Sequence, residues 1–104
     1  MPDETLVEYE MGYAADEFGN VLNGPFSGDK SSYRCKEIGR HHWSVEQAGE
    51  SFILAIMVTE KPPRKLGLFK LPVLEVKFSF TDTDAVLREQ FFHRFHQYFH
   101  KGGG

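Results

Sequence analysis

Residues 84 to 101 read Asp-Ala-Val-Leu-Arg-Glu-Gln-Phe-Phe-His-Arg-Phe-His-Gln-Tyr-Phe-His-Lys, and this stretch decides the fold class. At about 100° per residue, Leu87, Phe91, Phe92, Phe95, Tyr98 and Phe99 fall on one arc, while Glu89, His93, His96 and His100 line the neighbouring one. The spacing predicts an amphipathic helix over residues 82 to 101. Thr81 and Asp84 have capping-box spacing at its start, with Asp82 or Thr83 as alternative caps. Lys101 and Gly102 suit its end.

The residues before the helix have the other period. Leu74, Val76, Phe78 and Phe80 alternate with Glu75, Lys77 and Ser79, which predicts a strand with one dry face. Phe52 to Thr59 is apolar at nearly every position and reads as a central strand covered on both faces. Between them, Lys61-Pro62-Pro63-Arg64-Lys65 reads as a break, because neither proline can donate to a ladder. Leu66 to Leu71 reads as a short edge strand ended by Pro72. Further strands are expected at Ser32 to Ile38 and His41 to Gln47, separated by Gly39-Arg40, with a turn at Ala48-Gly49-Glu50.

At the start of the chain, Val7, Tyr9, Met11 and Tyr13 alternate with Glu8 and Glu10. The turn formers Asp16, Gly19 and Asn20 follow, so an acidic hairpin over about residues 5 to 24 is expected, returning through Val21 and Leu22. The whole is an α+β fold: an antiparallel sheet of about five to six short strands, spanning about 31 to 80, with the C-terminal helix packed on one face. With 104 residues, one domain over 1–104 is expected.

Composition narrows the function classes. Forty per cent apolar residues with ten Phe supply one core and argue against disorder. The first residues lack a basic start and an apolar run, the longest apolar stretch is too short to span a bilayer, and Cys35 is the only cysteine. A cytoplasmic protein without membrane partners is expected. The net charge of −3 divides unevenly, with −7 over residues 1 to 29 and +4 over the remainder. The acidic part reads as a solvated face. Lys61, Arg64, Lys65 and Lys70 form a basic patch beside Phe69, but an acidic chain is not expected to bind nucleic acid.

Three groups of residues are candidate sites. The helical aromatic arc is wider than a helix on a sheet needs. Leu87, Phe91 and Phe95 can face the sheet, leaving Phe92 and Phe99 near the histidine border. Phe92, Phe95, Phe99 and His96 are therefore the candidate interface, and a homodimer, or another protein partner, is expected. Glu89, His93, His96 and His100 stack on successive turns, a spacing that lets imidazoles share a divalent transition metal. A single cysteine and no His-Glu-x-x-His pattern weigh against a structural or catalytic zinc, so no cofactor is expected. His41, His42 and Trp43, with the helix histidines, would line a ligand pocket between sheet and helix. Cys35, six residues before His41, admits a thiolate–imidazole pair, although a lone cysteine is more often a buried hydrophobe.

No nucleophile elbow or phosphate-binding loop occurs, and no catalytic residue is assigned. The reading is a small non-enzymatic interaction module that self-associates. The alternative is a small-molecule or metal binder, or a minor enzyme, with a histidine-rich pocket.

Overall fold

The computed structural model describes residues 4–28, 32–50 and 52–99. Five strands form one antiparallel sheet: β1 (Glu4–Met11), β2 (Tyr33–Gly39), β3 (His42–Gln47), β4 (Ile53–Leu66) and β5 (Phe69–Thr81), in the order β1-β5-β4-β3-β2. Helix α1 (Ala15–Asn23) and a 3₁₀ turn (Pro25–Ser27) lie between β1 and β2, and helix α2 (Ala85–Tyr98) follows β5. The expected α+β fold, an antiparallel sheet with a C-terminal helix, is the fold observed.

The N-terminal hairpin is not. Residues 15 to 23 are helical, and the helical period explains why: Ala15, Phe18, Gly19 and Leu22 are the buried positions, three or four residues apart. Asp16 and Glu17 sit in the first turn, at the positive end of the helix dipole. Gly19 serves contact rather than a reversal, because a Cβ there would lie 3.1 Å from Cζ2 of Trp43. The chain therefore crosses the sheet, and β1 pairs with β5 instead of with a returning neighbour.

The prolines at 62 and 63 do not break the chain. β4 runs through them and pairs with β5 as far as Leu66 opposite Phe69, with an irregularity between Lys61 and Arg64. An extra residue on β4 lies at this bulge, so the ladder asks for no proline N–H there. β3 reaches along β4 only from Ile53 to Met57, so the far half of β4–β5 projects from the sheet as a two-stranded arm. Gly67, with φ of 61°, begins its turn, a conformation that glycine adopts without strain.

One aromatic cluster fills the space between sheet and helices. Phe91 packs against Phe78, Phe80 and Phe52, and Phe95 stacks on Phe99 at 4.3 Å. Phe18 brings α1 onto Trp43, Phe95 and Phe99, and Phe26 of the 3₁₀ turn meets Tyr33, Phe91 and Phe95. The junction before α2 is pinned by polar contacts. Buried Thr83 accepts the Ile53 N–H through its hydroxyl, which also lies 3.0 Å from the Thr81 carbonyl. The N-cap is Asp84, whose carboxylate accepts the Leu87 N–H at 3.0 Å. Helix α2 is thus shorter at its start than the 82 to 101 expected, and the proposed cap at Lys101 and Gly102 lies outside the described residues.

Both helices cover the same face of the sheet. β4, expected to be covered on both sides, is covered on one: Leu54, Ile56 and Val58 are buried, whereas Ile53 and Met57 in the opposite phase are 53% and 51% exposed.

Candidate interaction surface

The α2 aromatics divide differently from the sequence expectation. Phe95 and Phe99 are 0% and 2% exposed and belong to the core, so neither stands uncovered as an interface anchor. Phe99 lies just beyond the last helical residue, which places its ring beside Tyr13 and Phe18. Phe92 is half-buried, edge-on to Tyr9 of β1 and to Phe78, with the exposed His96 stacked on its outer side.

Tyr9, Phe92 and His96, with Arg88, Glu89 and His93, line a shallow groove of about 380 Å³ between β1 and α2. Glu89, His93 and His96 thus share one surface, and His100 lies outside the described residues. Among the described residues no three His, Cys, Asp or Glu side chains converge into a cluster able to hold a metal ion.

His41, His42 and Trp43 do not form one pocket with the helix histidines. His41 occupies the β2–β3 turn with a left-handed φ of 58°. With Trp43, Glu37 and the α1 residues Asp16, Asn20 and Asn23 it borders a cleft of about 350 Å³. Trp43 itself is 2% exposed, and its indole nitrogen is buried without a hydrogen-bond partner. His42 points to the opposite face of the sheet, paired across the ladder with Met57. Cys35 packs on the inner face opposite Val45, where burial raises its thiol pKa, an effect that a hydrogen bond from Ser27 partly offsets. That environment suppresses the thiolate a nucleophile would need.

The surface that sequence reasoning missed is the helix-free face of the sheet. Nine large hydrophobics are exposed among the described residues, and six of them share this face: Leu6, Ile53 and Met57 on the sheet body, and Leu66, Phe69 and Leu71 on the arm. The alternation assigns them. Leu6 pairs with Ser79 and Ser79 with Ala55, while Phe69 and Leu71 keep the phase of Glu75, Lys77 and Ser79 along β5. Of the ten Phe, Phe69 stands apart at 73% exposed, and Leu68 at the arm tip is fully exposed.

The same face is graded in charge. On the β1 edge it carries Glu4, Glu8 and Glu10, and on the β2 edge Arg34 and Lys36, by the alternation of each strand. Glu75 and Lys77 lie between, 3.7 Å apart, and Glu10 is bound to Arg64 of the arm at 2.8 Å. Ile53 and Met57 lie in the phase of polar Ser79 and Lys77, which the register reveals and the sequence of β4 alone does not.

The arrangement is suited to recognition through a flat apolar surface with charged borders. No helix among the described residues is long and apolar enough to cross a membrane. No family model matches the chain, and neither a curated protein nor a solved structure matches it.

Proposed function

We propose that this chain is a small non-enzymatic interaction module that self-associates, with the helix-free face of its sheet as the working surface. The observation that carries this reading is the half-exposure of Ile53 and Met57 on β4, the middle strand of five. A central strand is where a sheet ordinarily buries most, and apolar groups left open there are anchors for another protein surface. Leu6 continues the patch toward the β1 edge. Phe92 and His96 border a separate groove on the other side of the molecule and are secondary to it.

Sedimentation velocity at tens of micromolar, above the range where a micromolar dimer assembles, tests the reading. Wild type should sediment as a dimer. Met57→Glu, which buries a charge in the proposed contact, should sediment as a monomer with unchanged circular dichroism, because Met57 contributes little to the monomer core. A wild-type monomer under these conditions overturns self-association.

A further inference from the structure

We infer that the partner on this face is a second copy of the chain, related by a twofold axis running parallel to β4. The inference rests on the self-association proposed above and adds its geometry. Two sheets packed face to face can be related by an axis along the strands or across them. An axis across the strands sets β1 over the partner's β1, and when it passes through the row of Leu6 and Lys36 it brings Glu4 onto the partner's Glu8 and Lys36 onto its own copy. An axis along β4 sets β1 over the partner's β2, because β1 and β2 are the two outermost strands. The acidic edge of each copy then meets the basic edge of the other.

The registers make the match residue by residue. Glu4, Thr81, Ile53, Glu46 and Arg34 form one row across the sheet, and Leu6, Ser79, Ala55, Ser44 and Lys36 form the next. Reversing the strand order places Glu4 over the partner's Arg34 and Leu6 over the partner's Lys36, with Glu8 one row on, about 7 Å along the strand and within reach of the lysine side chain. The centre of each row is β4, so Ile53 and Ala55 meet their own copies on the axis. Ser79, Ala55 and Ser44 are small, which gives the middle row room for close approach at the usual separation of about 10 Å.

The size also fits. From strand spacing and rise, the body of the face covers roughly 550 Å², and the β4 half of the arm, which meets its own copy on the axis, brings it to roughly 650 Å², within the range of about 600–1,000 Å² per partner of a standard interface.

Charge reversal tests the axis directly. Exposed ion pairs are individually weak, but the twofold repeats each one. Arg34→Glu with Lys36→Glu should therefore weaken the dimer by about tenfold at low salt, less at high salt. Adding Glu4→Lys and Glu8→Lys to that variant restores opposite charges across the axis and should return the dimer to wild-type affinity. All four substitutions are at exposed positions, and circular dichroism checks the fold. An axis across the strands predicts instead that the first variant dimerises as tightly as wild type. That result, or a fourfold variant no tighter than the twofold one, overturns the geometry while leaving a wild-type dimer, and with it the proposed function, intact.

Discussion

At the residue scale, Cys35 shows how placement sets chemistry. It lies on the inner face of β2, an edge strand, and its raised pKa comes from burial first, with the Ser27 hydrogen bond acting against it. Below the thiol's ordinary value of 9.0, folded and unfolded chains both hold the proton, and this contribution to stability is intact. Above 9.0 the unfolded chain releases its proton first, so stability declines as pH rises through the higher folded value. Tyr33, also raised by burial, with Arg94 acting against it, extends the decline past 10.0. The melting temperature should therefore fall between about pH 8.5 and 10.5, and Cys35→Ala should show a smaller fall over the same window. A Cys35→Ala curve parallel to wild type would remove Cys35 from the explanation. The lone cysteine was legible in the sequence as a buried hydrophobe, because no partner cysteine or motif pointed elsewhere. Its neighbour Ser27 was not, since the contact joins the 3₁₀ turn to β2 through tertiary packing.

At the scale of elements, the difference between α1 and the expected hairpin comes from two residues whose local preference yields to packing. Gly19 and Asn20 favour turns in isolation, but Ala15, Phe18, Gly19 and Leu22 are all buried, and only the helical period puts these four on one side. Gly19 stands where the helix passes closest to Trp43. Gly19→Val should therefore destabilise by about 1–3 kcal/mol through overpacking, read by chemical denaturation. A hairpin turn would give a different response, with Asn20 as sensitive as Gly19; the exposed Asn20→Ala should instead lie within about 0.5 kcal/mol of wild type. The strands were more legible than this helix. β2, β3 and the inner half of β5 follow an alternating pattern that sequence alone displays, and α2 follows its aromatic period. The arm was hidden because Pro62 and Pro63 signal a break wherever a ladder needs their N–H groups, and a bulge removes that need.

At the scale of the whole molecule, placing both helices on one side leaves the sheet with two unlike faces, one sealed by rings and one open. Nothing in the one-dimensional pattern separates the two, because Ile53 and Met57 are as apolar as Leu54 and Ile56; the register with β5 and the helix positions decide it. The candidate site was therefore read on α2, where the periodicity was strongest, and its aromatic anchors Phe95 and Phe99 proved to be the seal. The connection that brings β1 to the sheet has a further consequence, for the order of assembly. β2 to β5 follow one another as adjacent hairpins, whereas Glu4 lies opposite Thr81 and Met11 opposite Leu74, so β1 docks only across most of the chain length. Closing so long a loop carries the larger entropic cost, and non-local pairings form late. In stopped-flow experiments Val7→Ala should speed unfolding and leave the refolding rate nearly unchanged, while Leu54→Ala should slow refolding. A slower refolding rate for Val7→Ala would place β1 in the nucleus. If it docks last, the chain passes through a four-stranded intermediate whose β5 edge is open, and at high concentration that edge can capture the first strand of another molecule before its own arrives.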